Sequence, residues 1–322
     1  MADKLFVSSS PHISKSESIR SVMWTVNIAL LPAGIIGFYI FGIHSLWLIL
    51  NSIIFAVGAE GLIQKLRNKK VTISDGSAFM TGLLLAYNLP PNCPLWIGAI
   101  GSIFAIAIVK QAFGGLGRNI FNPALAARAF LMSAWPHHMT TFSKPFVYDA
   151  VTQATPLNLL REGRAHSMVD MGLSYWDLFI GNRGGSLGEV CVLALVLGGL
   201  YLLYKKIISW HTPVSFILTV GVFAWAFGSK DGFFKGDFLF HILSGGLILG
   251  AIYMATDYVT SPITDRGKVI FGICCGLLTG VIRLWGGYPE GVCYSILIMN
   301  SAVPLIDRFV KVRKYGSVKV GG

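Results

Sequence analysis

Between Arg20 and Glu60 the chain runs for 39 residues without one Asp, Glu, Lys or Arg. A helix needs about 20 mostly apolar residues to cross about 30 Å of hydrocarbon, so this stretch is long enough for two crossings. It offers too little polar surface for a water-soluble fold. The same texture recurs at 22–42, 45–63, 77–90, 95–113, 122–135, 187–204, 212–228, 238–257, 269–286 and 291–307, which predicts an all-α polytopic membrane protein of about ten transmembrane helices. The third and fifth segments are short and flanked by polar residues. Half-helices or broken helices are expected there, which a bilayer permits only where the backbone is buried in protein. Charged residues are 13% of the chain, against about a quarter in soluble proteins. The first 21 residues hold no apolar core of signal-peptide length, so the amino terminus is expected to be retained.

The formal charge of +11 would point to nucleic acid in a soluble protein. Here it reads as orientation and implies no nucleic-acid partner. With the amino terminus inside, 18 of the 26 basic residues fall in inner segments, among them Lys65, Arg67, Lys69 and Lys70. Lys144, Arg161, Arg164, Arg183, Lys230 and Lys235 fall outside, and Arg128 and Arg283 lie within spans. Since Lys and Arg collect on the cytoplasmic side of short loops, both termini are expected in the cytoplasm. The chain then divides into a first membrane half, 1–135, a second, 187–322, and between them an extracytoplasmic loop, 136–186. That loop is too long to be a plain connection, and its aromatics, Phe142, Phe146, Tyr148, Tyr175 and Trp176, argue for a folded segment on the membrane surface.

The halves resemble each other. Val109-Lys110-Gln111-Ala112-Phe113-Gly114-Gly115 precedes a final span in the first, as Val281-Ile282-Arg283-Leu284-Trp285-Gly286-Gly287 does in the second, and Phe79-Met80 has a counterpart in Tyr253-Met254. Two inverted five-helix repeats are expected, with a site near the midplane where they meet. Ionisable residues in or beside spans are costly and draw attention to function. They are Arg128, Arg283, Glu60, Asp75, Asp257 and Asp307. Glu60 and Asp307 sit near inner span ends, where snorkelling or capping suffices to explain them. Asp75 and Asp257 flank the matching segments. Gly114-Gly115-Leu116-Gly117-Arg118-Asn119 leads into the fifth span. Such a turn either presents a helix amino terminus to an anion or a carbonyl-rich ring, or merely lets helices pack closely. Cys93, Cys191, Cys274, Cys275 and Cys293 form no paired motif and read as buried apolar residues. His137-His138 beside Trp135 reads as an interfacial belt or a partner contact, and no metal site is expected.

In the outer loop, Asp149-Ala150-Val151-Thr152-Gln153-Ala154-Thr155-Pro156-Leu157 is, by composition, a turn with two hydroxyls. The pattern Asp-x-x-Thr-x-Ala-Thr resembles the flavinylation motif, in which a transferase esterifies the final Thr hydroxyl with the phosphate of FMN. Phe113-Gly-Gly-Leu-Gly-Arg118-Asn119-Ile-Phe-Asn122-Pro123-Ala-Leu-Ala-Ala-Arg128-Ala-Phe130 and Ser74-Asp75-Gly76-Ser77-Ala78-Phe79-Met80-Thr81-Gly82 resemble signatures of one membrane family. It is the D subunit of the Rnf complex, an ion-translocating ferredoxin:NAD oxidoreductase, with its relative, the B subunit of the sodium-pumping NADH:quinone reductase. Gln153 departs from the Gly usual in the motif. Thr-x-Ala-Thr-Pro-Leu and the short amino terminus match the Rnf protein better.

The resemblance implies covalent FMN on Thr155, with Thr152 as the alternative acceptor and Asp149 and Ala154 beside them. It also implies noncovalent riboflavin near the cytoplasmic face, where Lys110, Arg118, Asn119 and Asn122 are the candidate lining and Asp75 and Asp257 the candidate flavin or ion contacts. A single electron hop from the outer loop across the whole hydrocarbon layer would be too slow, which also calls for an inner cofactor. The chain would relay electrons between ferredoxin and NAD in the inner membrane of a prokaryote, coupled to Na+ or H+ movement. Its partners would be an FMN-bearing extracytoplasmic subunit, iron-sulfur subunits and the flavin transferase. With no nucleotide fold and no four clustered cysteines, the ferredoxin and NAD sites are expected on other subunits. The alternatives are the quinone-reductase B subunit and a transporter of urea-channel-like inverted-repeat fold, which predicts no flavin.

Overall fold

The computed structural model describes residues 18–146, 152–162, 168, 170–229, 232–287 and 290–311. The described chain is helical. Ser18 caps α1 (Ile19–Phe41) by accepting from the Ser21 amide at 3.2 Å. Gly42, at φ +79°, turns the chain into α2 (Ile43–Leu66). There follow α3 (Ser77–Tyr87), α4 (Leu95–Phe104), which runs on as a π-turn over Ala105–Gln111, and α5 (Pro123–Ala134). The loop between the halves, 136–186, contributes α6 (Pro136–Thr140), strands β1 (Phe142–Ser143) and β2 (Thr152–Gln153), α7 (Pro156–Arg161) and α8 (Tyr175–Ile180). The strands pair antiparallel, Phe142 with Gln153 and Ser143 with Thr152. The second half holds α9 (Val192–Tyr204), α10 (His211–Phe227), α11 (Phe238–Leu243), α12 (Leu247–Leu249) with a π-turn over Gly250–Met254, α13 (Asp265–Trp285) and α14 (Val292–Phe309).

Helices α1, α2, α13 and α14 are long and apolar enough to cross a membrane, and five shorter apolar helices accompany them. The protein also turns large apolar side chains outward, among them Ile35 and Ile54 at 64% exposure. A water-soluble monomer has no use for so extensive an apolar exterior, and the chain is an integral membrane protein. The third and fifth segments are short, at 11 and 12 residues, and unbroken. The expected single helix at 238–257 is instead interrupted at Ser244-Gly245-Gly246, where Gly245 takes φ +67°.

One core joins both halves, with Leu30, Leu48, Leu84, Leu125, Leu195, Phe216, Phe271 and Ile296 all buried in it. Two tyrosines fasten it in the same way. Tyr87 donates to the Leu30 carbonyl at 2.8 Å and Tyr253 to the Leu195 carbonyl at 2.9 Å. Each ring lies over a glycine of the helix it meets. A Cβ on Gly34 would stand 2.3 Å from the Tyr87 hydroxyl, and one on Gly198 would stand 2.3 Å from that of Tyr253. Tyr253 thus makes the same kind of contact as Tyr87, eight residues beyond Phe79. Phe79 packs instead on Trp24.

Candidate functional site

The chemistry-bearing residues gather at two ends of the bundle. At the end formed by the start of α3 and the finish of α2 and α4, the π-turn re-aims Lys110 and Gln111 toward Glu60. The Lys110 ammonium lies 2.8 Å from the Glu60 carboxylate and donates to Ser77 Oγ at 2.6 Å. Ser77 in turn donates to Asp75 Oδ1 at 2.6 Å, which also takes the Ser77 amide. Gln111 donates to Glu60 at 2.9 Å, and Gln64 donates to both Glu60 and Thr72. Glu60 is 1% exposed and Lys110 2%. Burying a charge is costly unless it is paired and hydrogen-bonded, and here the pair is fully partnered. Glu60 therefore does not snorkel. It is the centre of a buried network. Asp307 accepts from the Ile263 amide at 3.2 Å, which ties α14 to the segment ahead of α13.

Lys110, Asn119, Asn122 and Asp257 line one cavity, joined by Ser77, Met80 and Thr81. Sequence distances of up to 147 residues thus close to a single site. Asp75 reaches it only through Ser77. Arg118 does not reach it: the side chain is exposed and folds over Gly114, whose φ of +119° only glycine adopts readily. The helix-terminus reading also falls. Asn122 Oδ1 already takes the Ala124 and Leu125 amides at the start of α5, its Nδ2 donates to the Met254 carbonyl, and Asn119 donates to the Phe121 carbonyl. The cavity measures about 30 Å³, room for a water or two. It does not fit riboflavin while Met23, Met80, Leu84 and Leu116 close it.

Between the two ends lies a second ionic cluster. Arg128 on α5 donates to Asn88 Oδ1 at 2.7 Å, to Glu189 at 3.1 Å and to Glu290. Arg183 donates to the Glu189 carbonyl. Arg283 holds the carbonyls of Glu290, His241 and Ser244. The two arginines within the expected spans thus meet through Glu290. Sequence reasoning passes over Glu189 and Glu290 because each stands at the edge of an apolar run, Glu189 just inside the sixth and Glu290 just ahead of the tenth; a lone acid beside a glycine at a span start, Gly188-Glu189 and Glu290-Gly291, is the available signal.

At the other end, the 136–186 loop folds down onto α11 through Leu157, Leu178 and Phe240. Thr155 caps α7, its Oγ1 accepting from the Asn158 amide at 3.4 Å, and the residue is 6% exposed. Ala154 is half-buried beside it. Asp149 lies outside the described residues, and of Thr152 only the backbone pairing is described. Beside α7 opens a cavity of about 750 Å³, bounded by the ends of α10 and α13 and the start of α11. Asp237 caps α11 and accepts from the Tyr175 hydroxyl at 2.8 Å, which with partial burial holds that phenol above the usual tyrosine range. Of the five cysteines, all unbonded, Cys93, Cys191, Cys275 and Cys293 are buried.

The sequence profile of the NQR2, RnfD, RnfE family matches residues 6–316. The chain belongs to that family. It is 52% identical over 317 residues to the D subunit of the proton-translocating ferredoxin:NAD(+) oxidoreductase complex of Clostridium ljungdahlii, covering 97% of this chain and 96% of the relative. It is 53% identical over 318 residues to the D subunit of the Na(+)-translocating ferredoxin:NAD(+) oxidoreductase complex of Acetobacterium woodii, covering 98% and 96%. The D subunit of the ion-translocating oxidoreductase complex of Stutzerimonas stutzeri is 41% identical over 327 residues, covering 93% and 92%.

Proposed function

We propose that this family member is the D subunit of an ion-translocating ferredoxin:NAD oxidoreductase complex and that it carries FMN as a phosphoester on Thr155. Near-complete coverage of relatives bearing that name supports the first part. The position of Thr155 supports the second: it ends an Asp-x-x-Thr-x-Ala-Thr pattern and opens a helix that borders a roomy cavity. An ester oxygen still accepts from the Asn158 amide, so the cap on α7 is compatible with modification. With the hydroxyl buried, the transferase must reach Thr155 before the loop settles. The protein would supply position and electrostatics, and the flavin would supply the redox chemistry.

The topology in this reading is ten crossings in two inverted halves, both termini cytoplasmic, which puts the Lys110–Glu60 network inside and the α7 cavity outside. The matched tyrosine contacts support the repeat. A riboflavin at the inner end requires Met23, Met80 and Leu116 to move aside. A purified complex that releases riboflavin on denaturation, and loses it in Asp257→Leu, would place it there; no release would remove it from the account. The ion does not follow overall identity, since relatives at 52% and 53% are named for different ions. The family also includes quinone-reductase proteins, and turnover of the purified complex with ferredoxin and NAD, against NADH and quinone, separates the two.

The covalent flavin is tested by in-gel fluorescence of the denatured chain co-produced with a flavin transferase. A yellow band in the wild type that disappears in Thr155→Ala is the expected result. A colourless wild-type band overturns it.

A further inference from the structure

Where α2 ends, the chain lays down a strip of cations that belongs to neither cavity. Lys65, Arg67, Lys69 and Lys70 follow one another closely and all are exposed. Among the described residues no carboxylate pairs with any of them. From residue 60 to residue 148 the sequence holds two acids, Glu60 and Asp75. Glu60 is engaged by Lys110, Gln111 and Gln64, and Asp75 by Ser77. The strip therefore keeps its full positive charge.

It also has a fixed shape. Asn68, at φ +52°, reverses the chain as α2 ends, and the Lys69 amide donates to the Gln64 carbonyl at 2.9 Å. The Gln64 side chain, 5% exposed, takes the Thr72 amide at 2.8 Å and donates to Thr72 Oγ1 at 2.9 Å. A buried glutamine thus straps the Lys69-Lys70 segment back against α2. Arg67 donates to the Gln111 carbonyl, which also takes the Gly114 amide, and the exposed Arg118 folds over that same Gly114. The two arginines bracket one turn and bring two basic segments to the same end of the bundle. A loop that served only to orient the chain would need the charges and none of this bracing.

Beside the cations stand exposed apolar side chains, Leu66 at 73%, Leu62 at 60%, Val71 and Phe113. Leu66 and Leu62 continue the exposed row of Ile54 and Gly58 along α2 at four-residue spacing, on a helix long enough to cross a membrane. Gly58 leaves a notch in that row: nothing stands within 4 Å of where its Cβ would lie. A ligand that fits both parts has an anionic head and a long apolar tail. An acidic water-soluble partner would satisfy the cations and leave Leu62 and Leu66 without cover.

We propose that this strip binds an anionic phospholipid, with the headgroup phosphate seated among Lys65, Arg67, Lys69, Lys70 and Arg118 and an acyl chain laid along Leu66, Leu62 and the Gly58 notch. Clustered Lys and Arg just beyond a membrane-spanning helix attract anionic lipid, and a planar guanidinium matches a phosphate with two hydrogen bonds. Because Arg67 also holds the Gln111 carbonyl, a bound headgroup braces the π-turn that aims Lys110 at Glu60.

The test is native mass spectrometry of the delipidated full-length chain with phosphatidylglycerol, cardiolipin or phosphatidylcholine added. The two anionic lipids are expected to be retained and the zwitterionic one not, with retention falling as ammonium acetate rises to about 0.5 M. The triple variant Lys65→Gln, Lys69→Gln, Lys70→Gln leaves Arg67 and the Gln64 strap in place and is expected to weaken retention at least about tenfold. Gly58→Leu fills the notch without meeting a neighbour and is expected to weaken both anionic lipids severalfold. Equal retention of all three lipids, or a triple variant that binds like the wild type, overturns the site. Loss of an acidic subunit from the triple-variant complex, with lipid retention unchanged, assigns the strip to a protein contact and also overturns it. If the triple variant does not accumulate, anionic lipid retained by the wild type regardless of salt, or retained undiminished by Gly58→Leu, overturns the proposal without it.

Discussion

The two ends of the bundle solve opposite problems with similar parts. At one end a lysine and a glutamate meet at 2.8 Å with every neighbour engaged, and the remaining space is about 30 Å³. At the other, a comparable cation, Arg283, is spent on three backbone carbonyls, and the space beside it is about 750 Å³. A closed, self-satisfied network holds charge in place. The larger cavity is lined by Arg161, Lys235 and Arg283 against the single carboxylate of Asp237. Buried ionisable residues of this chain are therefore not one class: Glu60 and Lys110 hold each other, whereas Arg283 and His241 border a cavity.

The comparison breaks most readily between the ends. Arg128→Ala leaves Glu189 and Glu290 without their shared guanidinium and is expected to cost about 3–5 kcal/mol, read as a large fall in thermal stability of the purified protein. Glu60→Ala strands Lys110 and is expected to cost about 3 kcal/mol. Glu60→Leu with Lys110→Met should recover most of that loss, and failure of the double variant to recover would mean that the pair is not self-contained. Tyr87→Phe and Tyr253→Phe sharpen the likeness of the halves, each expected to cost about 1 kcal/mol and by similar amounts. Widely unequal losses would count against the repeat.

The smallest effect is where α8 meets the start of α11. Tyr175 is bound to Asp237 as a neutral phenol with its pKa raised above the usual value of about 10. A raised folded-state value means that its contribution is fully present below about pH 10 and is lost as pH rises through the folded value. Tyr175 is exposed, and solvent screening keeps the effect below about 0.5 kcal/mol. Wild type and Tyr175→Phe should differ slightly in stability near neutral pH and converge in alkali.

Much of the fold is legible in the sequence because apolar length is a strong signal. All ten expected segments contain helix, while the interruption at Ser244–Gly246 escapes because Leu239–Leu249 reads as one apolar run through two glycines. Lys110, Asn119, Asn122 and Asp257, grouped from the sequence, line one cavity. Their chemistry is harder to foresee: Asn122 is consumed in capping α5, and Arg118 points away over Gly114. The first has a local signature, Asn ahead of Pro at a helix start; the second has none. The cavity beside α7 escapes the sequence altogether, since Arg161, Phe227, His241 and Trp285 come from four separate elements that only packing brings together.

Peptide mapping of the holo-complex tests the central claim most directly, that the open end carries a flavin bonded to Thr155. The tryptic peptide ending at Arg161 should carry the mass of FMN less one water, located to Thr155 by fragmentation, with no such increment elsewhere in the chain. An unmodified peptide from complex made with active transferase, or the increment on another residue, would contradict it.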